Sequence, residues 1–185
     1  MERAIVLTGI GGQGIQLVGT LLSRAAVAAD MHVSMLGVYG GEMRGGPSGS
    51  TIVISNERVK SPPKVSRAWS IISFHPKYWS QVAHAARPDT TVFYNQSLAL
   101  TEHDGAVYKT VPVPATDIAR SMGSEALGAM IMLGAFLRST GLFSVDSIEG
   151  AMHASIPAYR HNRIAANVQG LQAGYAAVTP QGAAA

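Results

Sequence analysis

The sequence predicts an α/β fold, a three-layer α/β/α domain on a mainly parallel or mixed sheet, and three features carry that expectation. Residues 3–8 form a short apolar run, then comes Gly9-Ile10-Gly11-Gly12-Gln13-Gly14, then Leu17, Val18, Leu21, Leu22 and Ala25 recur at helical spacing. Further Val-, Ile-, Phe- and Tyr-rich runs follow, separated by turn residues, as strands of a sheet would be. From residue 116 onward the pattern turns helical to the end.

Each element follows from local chemistry. Residues 3–8 read as a buried strand and residues 15–29 as the first helix. The glycine loop between them presents backbone N–H groups at a helix N-terminus, where the dipole also favours an anion. Residues 31–39 form a second strand, completing a β-α-β unit with a right-handed crossover. Residues 39–49 hold five glycines and one proline, which predicts irregular structure. Within them, Arg44 offers a planar fork for phosphate or carboxylate, and Gly45 lets backbone approach a ligand closely. Strands follow at 50–55, 69–74, 90–95 and 105–111, with a helix from Pro76 to about Ala86 between the second and third of these. Val111-Pro112-Val113-Pro114 reads as an extended break, and Thr116 or Asp117 as the cap of a short helix. A helix at 125–138 is apolar on nearly every side, so it is buried or shared with a partner. Short and long helices close the chain at 145–152 and 157–177, the latter opening with Arg160, His161, Asn162 and Arg163.

Composition narrows the function. The 185 residues suit one domain over 1–178 with a flexible tail at 179–185. Charged residues are only 14% of the chain, against about 25% in typical globular proteins, which points to surface covered by other subunits. The pI of about 9.4 comes from few acids, and no Lys/Arg cluster is interleaved with aromatics, so nucleic acid is not an expected partner. There is no cysteine, which excludes a thiol nucleophile and a thiolate-held iron–sulfur cluster in this chain. The six histidines show no metal-ligand spacing, and no nucleophile elbow or P-loop is present, so no catalytic or metal residue is assigned. The longest apolar run, 129–137, falls short of the ~20 residues that span a bilayer. No membrane is expected, and the absence of a signal-like N-terminus predicts a cytoplasmic protein.

The glycines at 9, 11 and 14 fit G-x-G-x-x-G, the dinucleotide fingerprint, but the second strand ends in Leu36-Gly37-Val38 without the acid that would hold a ribose. Three stretches together are more specific. The glycine loop, then Tyr39-Gly40-Gly41-Glu42-Met43-Arg44-Gly45-Gly46, then Thr51-Ile52-Val53-Ile54-Ser55 resemble, in order and spacing, the gamma subunit (or gamma domain) of the 2-oxoacid:acceptor (ferredoxin) oxidoreductases. Leu127-Gly128-Ala129, Leu133-Gly134-Ala135 and the last helix, with Asn167 and Gly174-Tyr175, extend the likeness over residues 3–177. One position departs: the family often has an aspartate just before its middle strand, where this chain reads Arg67-Ala68-Trp69.

The resemblance implies a subunit of a thiamine-diphosphate, iron–sulfur enzyme that oxidatively decarboxylates a 2-oxo acid to an acyl-CoA. The substrates of such enzymes are pyruvate, 2-oxoglutarate, branched-chain 2-oxo acids, indolepyruvate or phenylglyoxylate. Thiamine diphosphate, Mg and [4Fe-4S] clusters are then expected on thiamine-binding and iron–sulfur partner subunits, with ferredoxin or NAD as electron acceptor. This chain would complete the coenzyme A end of the site. Gly11, Gly12, Gln13, Gly14, Arg44 and Gly45 are the residues expected near the coenzyme's phosphates. Two rivals remain: an independent dinucleotide-binding oxidoreductase, and a purely structural subunit whose glycine loops pack on protein.

Overall fold

The computed structural model describes residues 2–40, 45–60, 63–98, 103 and 105–179. Six strands form one mixed sheet in the order β2-β3-β1-β4-β5-β6. The strands are β1 (Glu2–Ile10), β2 (His32–Tyr39), β3 (Pro47–Ser55), β4 (Ser70–Ser73), β5 (Thr91–Asn95) and β6 (Lys109–Val113). β1 is central. It pairs in parallel with β4, Ile5 beside Ser70, and antiparallel with β3, Ile5 opposite Ile52. β4, β5 and β6 continue in parallel, whereas β2 pairs antiparallel with β3, Met35 opposite Ile52. Only β3 therefore runs against the rest of the sheet.

That insertion revises the expected β-α-β unit. β1, helix α1 (Ile15–Ala28) and β2 follow in order, but β3 lies between the two strands. The stretch 39–49, expected to be irregular throughout, contains the start of β3: Tyr39 pairs with Ser48 and Val38 with Gly49. Pro47 is tolerated because it is the first residue of its strand. Gly49 is favoured for a different reason: a Cβ there would stand 3.0 Å from the Leu7 carbonyl oxygen of β1.

Period-two alternation divides the side chains between two faces. Ile5, Leu7, Ile52, Ile54, Ile72 and Phe93 meet α1, α2 (Ala115–Ser121), α3 (Gly128–Thr140), α4 (Val145–Ser155) and α5 (Ile164–Ala176) in the main core. Val6, Ile71 and Val92 face the other way, into a smaller cluster with Ala68, Ala85 and Ala86, covered by Trp79, Val82 and Tyr108. That third layer is thinner than a helix. Residues 76–86, expected to be α-helical, form 3₁₀ turns at Pro76–Gln81 and Ala83–Ala85. His75 caps the first, its Nδ1 accepting from the Lys77 N–H at 3.1 Å, but Tyr78 at φ −114° interrupts the winding.

Other boundaries shift for local reasons. β6 includes Pro112, which an edge strand accommodates, so the expected strand at 105–111 moves to 109–113. Neither Thr116 nor Asp117 caps α2, whose preceding residue is Pro114. Their side chains meet the end of β5 instead: Asn95 Nδ2 donates to Thr116 Oγ1 at 2.8 Å, and Ser97 Oγ to Asp117 Oδ2 at 2.8 Å. The expected helix at 125–138 begins as a 3₁₀ turn, Glu125–Leu127, before α3 proper, and the last helix likewise follows a 3₁₀ stretch, Ala158–Arg163. Of the expected tail, residues 180–185 lie outside the described residues.

Helix α3 is buried from Ala129 to Leu137, and α5 covers one side of it. Two glycines set the approach. A Cβ on Gly134 would stand 1.9 Å from the Leu171 carbonyl oxygen, and one on Gly174 1.9 Å from that of Ile131. The all-round apolar helix is thus accommodated inside the chain, with Phe136 making edge contacts to Phe93 at 5.4 Å and Trp69 at 6.0 Å. No helix among the described residues is long and apolar enough to cross a membrane.

Candidate functional site

The glycine loop leaves the carboxyl end of β1 and turns into α1 through two left-handed glycines, Gly12 at φ 98° and Gly14 at φ 80°. Gly14 is the residue before the helix, and no side chain caps it. An L side chain at either position would be strained, so the loop is built around glycine for its backbone geometry. The loop is also braced. Ile10 N–H donates to Gln13 Oε1 at 2.8 Å, Gln13 N–H to the Ile10 carbonyl at 3.2 Å, and Gly11 N–H to the Gly46 carbonyl at 2.9 Å.

These bonds divide the expected site residues into two kinds. Gly11 and Gln13 spend their N–H groups on holding the loop and tying it to the second glycine-rich segment. Gly12, Gly14 and Ile15 have N–H groups without a protein acceptor among the described residues, the first intrahelical bond being Val18 N–H to Gly14 O. A Cβ on Gly12 would meet nothing within 4 Å, so Gly12 borders open space, whereas one on Gly14 would stand 3.2 Å from Ala129 Cβ. Unsatisfied N–H groups at a helix start are suited to an anion.

Gly45, at φ 76°, stands across from the loop, and its carbonyl accepts from the Tyr78 hydroxyl at 3.1 Å. Arg44 lies outside the described residues. The structure therefore brings Gly11, Gly12, Gln13, Gly14 and Gly45 to one place. A cleft of about 360 Å³ separates the two segments, lined by Gly11, Gly12, Gly14, Tyr39, Gly45 and Gly46 among others.

Sequence reasoning missed two supporting residues. Gln16 Nε2 donates to the Gly49 carbonyl at 2.6 Å, locking α1 to the β2–β3 hairpin; its only signal is a polar side chain between Ile15 and Leu17. Tyr78 reaches Gly45 from a 3₁₀ turn far along the chain, and nothing near it in sequence announces that contact. A second, larger cleft of about 870 Å³ opens on the other side of the loop.

The geometry separates this site from a dinucleotide one. The strand adjoining β1 on the hairpin side is antiparallel β3, and β2 ends at Tyr39 without an acid. Without cysteine the chain offers no thiolate to an iron–sulfur cluster. Among the described residues no group of three or more His, Asp or Glu side chains could hold a metal ion. At the position that departs from the resemblance, Arg67 pairs with Asp89 on the surface and holds its carboxyl below the usual carboxylate range by a side-chain hydrogen bond.

Comparison with known proteins agrees with this architecture. Residues 4–177 match the family model described as pyruvate ferredoxin/flavodoxin oxidoreductase. The 2-oxoglutarate synthase subunit KorC of Methanocaldococcus jannaschii is 33% identical over 163 residues, covering 85% of this chain and 85% of its own length. The ketoisovalerate oxidoreductase subunit VorA of Methanothermobacter thermautotrophicus is 31% identical over 145 residues, 78% of this chain but 30% of that longer protein. The fold matches the structure of 2-oxoglutarate:ferredoxin oxidoreductase from Magnetococcus marinus, solved with 2-oxoglutarate, coenzyme A and succinyl-CoA bound. That match has a TM-score of 0.85 at 20% identity and covers 99% of this chain and 33% of that one. The chain thus spans about a third of the length of some proteins it resembles and nearly the whole of others. A match over residues 4–177, with a relative one-third identical along most of both chains, establishes that this chain belongs to the pyruvate ferredoxin/flavodoxin oxidoreductase family.

Proposed function

We propose that the chain is the gamma subunit of a multi-subunit 2-oxoacid:acceptor oxidoreductase and completes the coenzyme A end of its active site. The observation that carries the reading is the set of N–H donors at Gly12, Gly14 and Ile15, which lack an acceptor among the described residues and belong to residues lining the cleft at the start of α1. These donors suit the coenzyme's diphosphate, whose oxygens accept backbone hydrogen bonds and gain from the helix dipole. Family membership supports the enzyme class, and the Magnetococcus protein with the same fold was solved with coenzyme A bound. Gly11 and Gln13 hold the loop in shape, and Gly45 forms its opposite wall. Arg44 belongs to the proposal by its chemistry: a guanidinium fork that can donate two parallel hydrogen bonds to a phosphate.

The reaction needs thiamine diphosphate to take up the 2-oxo acid and lose CO2, and clusters to carry electrons one at a time to ferredoxin or NAD. We assign both groups to partner subunits, a thiamine-binding chain and an iron–sulfur chain, a reading supported by the lack of cysteine in this chain. This chain's part is to bind and orient the thiol-bearing acceptor.

Two measurements test the proposal. The chain purified alone should not oxidise any 2-oxo acid with a viologen dye and coenzyme A; turnover by the lone chain refutes it. In the assembled complex, Arg44→Ala should weaken coenzyme A roughly tenfold to a hundredfold, the value of one charge-assisted contact of about 1.5–3 kcal/mol, and Arg44→Lys should recover only part. The Michaelis constant of the 2-oxo acid should move much less. An intact Arg44→Ala complex with unaltered coenzyme A dependence removes Arg44 from the site.

A further inference from the structure

The larger cleft, beyond the glycine loop, has chemistry that the loop alone does not use. It opens outside the carboxyl ends of β1, β4 and β5, walled by Gly12 to Gly14 on one side and by Phe74 and Asn95 on another. From β1 the chain winds toward β2 in one direction, and from β4 toward β5 and β6 in the other. The gap between β1 and β4 is therefore a topological switch point, the place where open α/β sheets hold ligands. The cleft's buried and half-buried lining is apolar, with Leu17, Phe74 and Met132, and its exposed rim carries Arg120, Glu125, Arg160 and Arg163.

The three arginines are not equivalent. Arg120 Nε is paired with Glu125 Oε1 at 2.7 Å. Arg160 and Arg163 are exposed, and neither has a carboxylate within salt-bridge distance among the described residues. Arg160 lies over the Tyr159 ring at 5.3 Å. Arg163 is followed one helical turn later by Asn167, which lines the same cleft. Two such cations on one rim are conspicuous in a chain with 14 basic and 11 acidic residues in all.

We infer that Arg160 and Arg163 bind the terminal phosphate monoester on the ribose of coenzyme A, while the glycine loop takes the diphosphate. This rests on the reading that coenzyme A meets the chain at this loop. The division follows from charge. A diphosphate linkage carries one negative charge on each phosphorus and is served by backbone N–H groups. A phosphate monoester approaches two charges at neutral pH and calls for full cations, for which the guanidinium fork is matched. The apolar lining of the same cleft suits the flat face of the base.

The test compares coenzyme A with its 3′-dephospho form on the assembled complex, by direct binding titration and by Michaelis constant. The native complex should favour coenzyme A by about tenfold or more, and Arg160→Gln/Arg163→Gln should abolish that preference, leaving both ligands at the weaker affinity. The preference should also shrink with added salt, because the arginines are exposed. The 2-oxo acid's Michaelis constant should stay put. An intact double variant that keeps the native preference overturns the inference. So does a double variant that no longer assembles while each single Gln variant assembles with the preference intact, since the rim then serves an acidic segment of a partner subunit. Gly12→Val separates the two claims: an L side chain is strained at φ 98°, so the variant should distort the loop and weaken both ligands alike. If Gly12→Val does so while the arginine pair changes nothing, only the phosphate assignment fails. If neither variant alters coenzyme A binding, the reading of the loop fails with it.

Discussion

Gly134→Ala adds a single methyl group at the point where α3 crosses α5. The new Cβ would stand 1.9 Å from the Leu171 carbonyl oxygen and 2.8 Å from the Tyr175 nitrogen, where ordinary contact begins at 3.4 Å. Both obstacles are backbone atoms, so no rotamer change relieves them. The helices must part by roughly 1.5 Å, and the reciprocal contact at Gly174 against Ile131 must open with them. Overpacking a core typically costs about 1–3 kcal/mol, and a conflict with backbone belongs at or above the upper end. For a chain of this size each kcal/mol lowers Tm by about 2–4 °C, so a loss of roughly 6–12 °C is expected. Gly150→Ala is the control. It is the same chemical change inside α4, at an exposed position where an added Cβ meets nothing within 4 Å. There alanine should stabilise the helix by about 0.4–1 kcal/mol. Thermal melts of both variants decide the matter. A Gly134→Ala protein that melts at or above the native temperature refutes the close crossing.

Two further variants probe the loop and the surface. Gln13→Ala removes the acceptor of the Ile10 N–H and should cost about 0.5–1.5 kcal/mol, seen as a lower urea midpoint at unchanged slope; an unmoved midpoint denies Gln13 its bracing role. Arg67 lowers the proton affinity of the Asp89 carboxyl, so the stability this pair supplies is present above the ordinary carboxylate value and is lost as pH falls through the lowered one. Asp89→Asn should therefore differ most from the native chain near neutral pH and converge with it in acid; a gap that persists in strong acid contradicts the pairing.

Much of the strand and helix pattern can be read from the amino acids because single residues dictate it. Short continuous apolar runs mark β1 and β3, and the helical spacing of Val18, Leu21, Leu22 and Ala25 marks α1. The order of strands cannot be read this way. Nothing local to Tyr39 or Pro47 announces that β3 turns back between β1 and β2, since that placement depends on pairing with Ile5 and Ile10, far away in sequence. The stretch after His75 has a capping residue and a proline, which is a fair helix signal. It winds as 3₁₀ because Tyr78 leaves helical backbone geometry while its hydroxyl reaches Gly45 and its carbonyl accepts from Thr8 Oγ1 at 3.4 Å.

The site divides in the same manner. The glycine loop is legible because backbone conformations at Gly12 and Gly14 demand glycine. Which N–H groups remain open is not, because the Gly11 donor is consumed by Gly46 across the hairpin. Arg160 and Arg163 are visible at the start of the last helix, but only the folded chain brings them to the cleft beside Gly12.

If coenzyme A docks against the start of α1, amide hydrogen exchange on the assembled complex will register it. With coenzyme A bound, exchange should slow at Gly12, Gly14 and Ile15, whose N–H groups otherwise lack an acceptor among the described residues. The 2-oxo acid alone should leave those amides unchanged. A complex that binds coenzyme A and turns over normally, with exchange at these three amides unaffected, contradicts the account.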